Sequence, residues 1–438
     1  MRIHPPDLRL RRLLGSITDG TDPVQVHVAG CARCSRKLKR LQAQRSAAYA
    51  EYDAALSAGA RRLHGLQATY TKERTDGKVL VSELLKHPAE RRLMLIRNYP
   101  RFHTWGVFER LLDASLRESP RDAAASEELA RLALELSDHL DEKRYGTEGI
   151  EDLRGRAWAY IGNARRVQSD LRGAQEALDR ALVHLRQGTR EPWERAVWLD
   201  LKGSLLRAQR RFDEALQLMN RALLLFLAVG DRHRAGRTLL NMDNVFHHAG
   251  RSEEGIPLLY RALELIDPEQ EPMLLMMAKH NLVDDLAEAG KYMEAQRLFI
   301  QARPLYRRFT ESFVEIRRLW VEGKIVRGLG QPDRAEQLLI AARNGCIEQG
   351  SPYDLALISL ELAGLYAERG KSGELKQIAE EMVPIFTSLQ IQRETLAAFN
   401  LWYQAVQAER AETELAARVM SALRRARYDQ SASSQETL

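Results

Sequence analysis

Residues 198–223, WLDLKGSLLRAQRRFDEALQLMNRAL, decide the fold of this 438-residue chain. The stretch has two apolar stripes with helical spacing on either side of a short polar turn, so it predicts a helix-turn-helix block. Ala215 and Ala222 lie seven positions apart in the second stripe, where small side chains allow helices to approach closely. Such a block needs further copies beside it, because a helix pair alone leaves apolar surface uncovered.

The block recurs six times between about residue 150 and residue 390. The small position near the start of each second helix, at spacings of 41, 40, 40, 40 and 40, is occupied by Ala174, Ala215, Gly255, Ala295, Ala335 and, less faithfully, Leu375. Seven residues later stand Ala181, Ala222, Ala262, Ala302, Ala342 and Met382. The interhelical turns contain Gly250, Gly290, Gly330 and Gly370, which we expect to supply a positive φ. This register predicts a solenoid.

The first block resembles the tetratricopeptide (TPR) family. The residues at the spacing typical of that family are Trp158, Ile161, Gly162, Ala174, Leu178 and Ala181. The period of 40 exceeds the usual period of about 34, which longer helices explain, as in the extended TPR arrays of bacterial regulators. Armadillo and HEAT repeats share this period and remain the alternative. The resemblance implies an all-α fold, a right-handed superhelical α-solenoid of TPR-like helix pairs. A small helical zinc module is expected before this array.

The chain divides into segments of different character. The segment 71–78, TKERTDGK, interrupts the apolar stripe of the helical stretch that follows Cys34, and we interpret it as a linker. A diverged helix pair is expected at 105–140. The predicted segments are a zinc module at 1–45, a long helix at 46–74, a linker and diverged helices at 75–150, six TPR-like repeats at 151–390, capping helices at 391–428 and a disordered tail at 429–438.

The stretch HVAGCARC, residues 27–34, predicts a metal site. His27, Cys31 and Cys34 have the spacing H-x3-C-x2-C in a chain with only three cysteines, which argues against a disulfide framework. The three side chains can converge on one zinc ion, and His4 is the natural fourth ligand. We expect a structural zinc and not a catalytic one, because no general-base carboxylate lies beside the cluster. The alternative is an accidental pair of cysteines in a helix. Cys346 is expected to be an apolar core residue.

The same residues resemble the zinc-binding anti-sigma family, in which an upstream histidine precedes H-x3-C-x2-C at the start of a long helix. His4, His27, Cys31 and Cys34 match this pattern. A basic stretch without any acidic residue follows, with Arg33, Arg36, Lys37, Lys39, Arg40 and Arg45. The resemblance implies a sigma factor or similar transcription protein as partner, sequestered by the long helix and released by a peptide, protein or protease acting on the array or on residues 71–79.

Charge leaves a nucleic-acid partner open. Residues 1–120 carry 22 Lys and Arg against 12 Asp and Glu, whereas the remaining residues carry 44 against 48. A basic N-terminal part can attract nucleic acid or an acidic protein surface, although a solvated helix face is an equal alternative. The second hypothesis is therefore a nucleic-acid adaptor, and the third is a TPR scaffold in a signalling or defence complex.

Enzyme and membrane motifs are missing from the sequence. AGLYAERGKS, residues 363–372, differs from a phosphate-binding loop because five residues, not four, separate its glycines, and Gly370 fits an interhelical turn. No apolar run approaches a membrane span, and the N-terminus lacks the apolar core of a signal peptide. We therefore expect a non-enzymatic, cytoplasmic protein that binds other proteins.

The concave surface of a TPR array is built mainly from first helices, and family resemblance implies that Asn, Lys and Arg there can clamp a peptide's backbone or carboxylate. In the repeat register, the candidates for this groove are Arg156, Asn163, Arg237, Asn241, Asn244, His280 and Asn281. These side chains suit the role because they form paired donor-acceptor or bidentate hydrogen bonds. The alternative is that they are ordinary solvated groove residues.

Overall fold

The computed structural model describes residues 5, 10, 22–119, 121–388, 393–407 and 413–426. Every secondary-structure element in these ranges is a helix, which confirms the predicted all-α solenoid of TPR-like helix pairs. His4, the predicted fourth zinc ligand, lies outside the described residues. The tail 429–438, for which disorder was expected, also lies outside them.

A set of helices precedes the repeats. These are α1 Pro23–Gly30, α2 Ala32–Leu84, α3 Ala89–Asn98, a 3₁₀ turn Pro100–Phe102, α4 Trp105–Glu118, α5 Ala123–Ser137 and the short α6 Glu142–Tyr145. Helices α4 and α5 pack against each other, as expected for a diverged helix pair at 105–140, and α5 packs against the first helix of the repeats.

Six helix pairs follow. Their helices are α7 Thr147–Val167 with α8 Leu171–Gln187, α9 Pro192–Ala208 with α10 Phe212–Ala228, α11 Arg232–His248 with α12 Ile256–Leu265, α13 Pro272–Glu288 with α14 Tyr292–Tyr306, α15 Ser312–Gly328 with α16 Pro332–Gln349, and α17 Pro352–Glu368 with α18 Ser372–Ser388. Two further helices, α19 Arg393–Gln407 and α20 Thr413–Ala426, pack after them, and α20 contacts α17.

The turn glycines behave as the sequence predicts. Gly250, Gly290, Gly330 and Gly370 all have positive φ, between 64° and 74°. The first two repeats place Ser169 and Arg210 at the equivalent turns, with φ of 66° and 60°. Glycine avoids the steric cost that a side chain incurs in this conformation, so the later turns are less strained than the first two.

The periodic small residues lie where helices touch. Ala174, Ala215, Ala295 and Ala335 are completely buried, and the alanines seven residues later are at most 1% exposed. Gly255 is the exception among the first five repeats, and the second helix of its repeat is also irregular. A 3₁₀ turn at Ser252–Glu254 precedes α12, which has only 10 residues, whereas α8 and α10 each have 17.

Polar pairs separated by about one period join neighbouring repeats. The Asn241 amide donates to Asp200, 41 residues earlier. Lys324 pairs with Asp284, and Arg343 with Glu381, across separations of 40 and 38 residues. These contacts add to the apolar packing between adjacent repeats, which is where a solenoid obtains its stability.

The predicted linker at 71–78 is wrong, because α2 continues through it to Leu84. Gly77 does not break this helix. It crosses α4 at Gly106 so closely that a Cβ on either glycine would overlap the backbone of the other helix. Glu73, one turn earlier, is 5% exposed and accepts hydrogen bonds from the Tyr145 hydroxyl at 2.9 and 3.0 Å. This end of α2 is therefore packed against α4 and α6, the helices that precede the repeats.

Candidate peptide groove and metal centre

A cleft opens between the first helices of successive pairs, α4, α7, α9 and α11. Its lining consists of Leu116, Tyr160, Asn163, Val197, Asp200, Leu201, Arg234 and Arg237. We call this the cleft. It contains two of the residues predicted for the groove, Asn163 and Arg237, together with Arg234, which the sequence analysis missed. The sequence does contain a signal for Arg234, because it lies one helical turn before Arg237 on the same predicted first helix.

The two arginines of the cleft are held differently. The Arg234 guanidinium lies 4.7 Å from the centre of the Trp193 ring, and Nη2 donates to the Tyr160 hydroxyl at 3.3 Å. Arg237 forms an ion pair with Glu271, whose side chain is 36% exposed. Arg234 is therefore fixed by an aromatic stack, whereas Arg237 is held by a part-buried ion pair whose acidic partner reaches solvent.

Asparagine and acidic side chains complete the polar lining. The Asn241 amide donates to both oxygens of Asp200, at 3.1 and 3.3 Å, and burial raises the pKa of the Asp200 carboxyl. The Asn163 amide is 3.5 Å from the Ser119 hydroxyl, and its carbonyl accepts from Arg166 at 2.9 Å. These amides present both donors and acceptors beside the cleft.

Arg156 does not face the cleft, although it shares the repeat position of Arg237. Its side chain is 8% exposed, and it donates to Glu194 at 2.9 and 2.5 Å and pairs with Glu109. The ring of Trp193 also lies 4.9 Å from the guanidinium. Arg156 thus ties α4, α7 and α9 together and is enclosed by them.

The remaining predicted groove residues lie further along the array, on α11 and α13. The Asn281 amide donates to Asp243 at 3.0 Å and lies 3.4 Å from the Asn244 carbonyl oxygen. Asn244 donates to the Leu240 carbonyl one turn earlier at 2.9 Å. Nδ1 of His280 is 2.9 Å from the Tyr306 hydroxyl, and burial together with the charge of Arg317 lowers the pKa of His280 to about 4. His280 is therefore neutral at pH 7.

Sequence reasoning missed two buried acids in this region, Asp243 and Asp285. Both are at most 1% exposed. Burial raises the pKa of Asp285 to about 8, and burial together with the neighbouring Asp285 raises the pKa of Asp243. The sequence gives one signal for these acids, which is Gly255. The other repeats among the first five have alanine at this register position.

At the N-terminus, the predicted metal ligands converge. One donor atom from each of His27, Cys31 and Cys34 lies within 4.8 Å of the others, and His27 Nε2 is 3.4 Å from Cys34 Sγ. Cys31 stands at the break between α1 and α2, which brings the two helices together. Cys34 is 2% exposed, and burial raises the pKa of its thiol. Two sulfurs and an imidazole fit three of the four positions of a tetrahedral zinc site.

The predicted basic patch lies on the first turns of α2, directly after this cluster. Five of its side chains are exposed and one is half-buried, and they belong to Arg33, Arg36, Lys37, Lys39, Arg40 and Arg45. Leu38 and Leu41 occupy the opposite side and pack with Cys34. The patch is therefore a solvent-facing surface whose orientation is set by the apolar cluster beneath it.

Comparison with known families identifies the repeats. The family model described as Tetratricopeptide repeat matches residues 193–267. Residues 193–267 therefore match tetratricopeptide repeats. No curated protein matches its sequence.

Several solved structures are similar to this chain at low sequence identity. A Rap protein complexed with competence and sporulation factor is similar over 72% of this chain and 85% of its own, with 12% identity and a TM-score of 0.54. Aspartyl phosphate phosphatase F from Bacillus subtilis matches over 72% and 83%, with 12% identity and a TM-score of 0.44. NprR in complex with its cognate peptide NprX matches over 75% and 97%, with 15% identity and a TM-score of 0.45. Among the described helices, none has the length and apolar character of a membrane span.

Proposed function

We propose that this chain is a non-enzymatic regulatory protein of the cytoplasm, whose TPR array binds a peptide or protein segment in the cleft. The observation that carries the proposal is the pairing of two cationic side chains, Arg234 and Arg237, with the amide of Asn163 in one concave surface formed by four helices. The Rap protein of similar fold was crystallised with competence and sporulation factor, so this architecture accommodates a bound factor in another protein.

The chemistry of the cleft favours a segment that ends in a carboxylate. Arg237 is engaged by the part-exposed Glu271 through one contact from Nη2, and an incoming carboxylate can replace that partner, since a guanidinium can bind a carboxylate through two parallel hydrogen bonds. Arg234 already stacks on Trp193 and stays in place as a second positive charge. The amide of Asn163 has the donor and acceptor that a peptide backbone requires.

A panned peptide library tests this function. The immobilised chain is screened against random peptides with free C-termini, and the enriched peptides are resynthesised with free and with amidated C-termini. We expect the free acids to bind, the amides to bind more weakly, and Arg237→Gln to lower affinity by about tenfold or more. Arg232→Gln, an exposed residue of the same helix, is the matched control. Failure to enrich any peptide, or equal loss in both variants, would contradict the proposal.

For the N-terminal segment, we propose a structural zinc held by His27, Cys31 and Cys34, with His4 as the fourth ligand. The module would hold an acidic transcription protein, most simply a sigma factor, through the basic patch and α2. Support comes from the convergence of the three ligands and the exposure of the patch. Release would follow when a peptide, protein or protease acts on the array.

Co-purification from the native cell separates the candidates for this partner. Recovery of a sigma factor or polymerase subunit with the full chain, lost when Lys37 and Arg40 become Glu, is the expected result. Recovery of nucleic acid with steep salt dependence would favour the adaptor hypothesis instead. A stable complex that contains neither would point to a scaffold and end the anti-sigma proposal.

A further inference from the structure

A second group of possible metal ligands lies far from the N-terminal cluster, where the third repeat meets the fourth. His247 is in the last turn of α11, and Asp284 and Glu288 are one turn apart on α13. One donor atom from each of the three lies within 4.8 Å of the others. Their side chains are 29%, 20% and 19% exposed, so an ion can reach them from solvent.

Asp285 supplies a further, independent observation. Its carboxylate is 2% exposed, and Oδ1 lies 3.6 Å from His247 Nδ1. The other oxygen, Oδ2, is fully buried, as is Oδ1 of Asp243, and in the described part of the chain these two oxygens accept from no N–H or hydroxyl group. The carboxyls of Asp243 and Asp285 instead face each other, close enough to share a proton. Buried carboxylate oxygens normally have donors, so this pair requires a positive charge or a proton.

The backbone is adapted to these acids. At Gly255 a Cβ would overlap Asp243 Oδ1 and lie 3.2 Å from Asp285 Oδ2. This is the register position that holds a buried alanine in the other repeats up to the fifth. The 3₁₀ turn Ser252–Glu254 opens the same place, and its Ser252 hydroxyl donates to Glu288 at 3.0 Å. In the third repeat, a 3₁₀ turn and a glycine thus take the place of regular α-helix and alanine where these carboxylates lie.

One cation already contacts this group. The ammonium of Lys324 lies 2.7 Å from Asp284 Oδ1 and 3.3 Å from Glu288 Oε1. One positive charge shared by two carboxylates leaves an excess of negative charge. His247 Nδ1 lies 4.0 Å from Oε2 of Glu288, so a dication there would be held between an imidazole and a carboxylate.

We propose that His247, Asp284, Asp285 and Glu288 bind a divalent transition-metal ion, with Asp243 supporting Asp285 from behind. One imidazole with three carboxylates suits Mn²⁺ or Zn²⁺ better than the all-oxygen sites preferred by Mg²⁺ and Ca²⁺. Because the ligands come from α11 and α13, the ion joins the third repeat to the fourth. Metal availability would then stiffen the inner surface of the array beyond the cleft.

Manganese is the probe, because the thiolate-containing N-terminal cluster prefers zinc. The full chain with Cys31→Ser and Cys34→Ser is titrated with Mn²⁺, and free ion is counted by electron paramagnetic resonance. We expect one ion per chain. His247→Ala and Glu288→Gln should each weaken binding by about tenfold or more. Lys324→Met should tighten it, because a competing positive charge is removed.

His248→Ala, the adjacent histidine of the same helix, is the matched control and should bind as the parent does. Circular dichroism checks that each variant keeps its helices. Absence of bound Mn²⁺ in the folded parent would overturn the proposal, as would retention of affinity in both His247→Ala and Glu288→Gln. Equal losses in His248→Ala would show that binding is nonspecific and would also overturn it. A failure here leaves the proposed cleft function intact, since the cleft is tested with peptide and without metal.

Discussion

In the repeat array each helix pair is covered by the next, whereas residues 22–45 bury only a few side chains between α1 and the start of α2. The buried members of this small cluster are Leu10, Val28, Cys34 and Leu41. The array instead shares one large apolar core that runs from the end of α2 to α15 and a second core from α15 to α20. The same helical secondary structure is thus supported by very different amounts of apolar burial.

The difference in apolar burial indicates which region depends on a metal ion for its stability. A module with so little core needs an additional source of stability, and a structural zinc supplies it when the ligands converge as His27, Cys31 and Cys34 do. A solenoid gains its stability from contacts between neighbours and does not depend on a remote module. The two regions should therefore respond to different substitutions.

The largest expected effect follows from Cys31→Ser or Cys34→Ser. Structural zinc in small modules contributes apparent binding free energies of about 10–16 kcal/mol, so its loss should unfold residues 22–45. Elemental analysis should show one zinc fewer per chain than in wild type, while far-ultraviolet circular dichroism keeps the signal of the repeats. Cys346→Ser, which changes the third cysteine inside the fifth repeat, is the matched control and should retain the zinc.

The reverse experiment damages the array and spares the module. Phe299 is 2% exposed in the core of the fourth repeat, and Phe299→Ala should cost about 3–5 kcal/mol of unfolding free energy through the cavity it leaves. Urea unfolding followed by circular dichroism measures the loss. Phe313→Ala makes the same change at a side chain 40% exposed and should have a much smaller effect. Loss of zinc in the Phe299 variant would show that the regions are coupled.

A smaller effect is expected where α2 joins the two regions. In Gly77→Ala the new methyl group must push against the backbone of α4 at Gly106, which should cost about 1–3 kcal/mol. Because Trp105 is the neighbour of Gly106, its fluorescence should report the local change. Gly30→Ala, where nothing lies within 4 Å, is the control. Equal stability of both variants would mean that the helix crossing is looser than described.

The smallest effect depends on pH. Burial raises the pKa of Asp152 from 3.8 to about 6, although Thr189 donates to it through both its backbone amide and its hydroxyl. A raised pKa in the folded state means that the contribution is full below pH 4 and is lost as pH rises towards 6. Thermal unfolding of wild type and Asp152→Asn between pH 4 and 8 should therefore show the variant gaining relative stability as pH rises. A constant difference across this range would refute the assignment.

The solenoid could be predicted because its information is local and repeated. Each buried alanine recurs after one period, so the register alone identifies the helix faces that touch. The segment 71–78 could not be interpreted in this way. Its charged residues and Gly77 look like a linker, but Glu73 is buried by Tyr145, 72 residues away, and Gly77 by Gly106. Such contacts are set by tertiary packing and leave no local pattern.

Tertiary contacts also limited the prediction of the metal centre and of the groove residues. The spacing of His27, Cys31 and Cys34 predicted their convergence, because all three ligands lie within eight residues. The register gives Arg156 the same repeat position as Arg237, but the acids that enclose Arg156 come from α4 and α9. The pairing of Asp243 with Asp285 likewise depends on two helices from different repeats, so only the structure shows it.

Hydrogen exchange measured by mass spectrometry tests the division into two independently stabilised regions most directly. Wild type and Cys31→Ser are compared peptide by peptide, with Cys346→Ser as the control. We predict that Cys31→Ser loses the protection of residues 22–45 and leaves residues 147–388 unchanged. Unchanged protection of residues 22–45, or loss of protection that spreads through the repeats, would contradict a metal-held module beside a self-sufficient array.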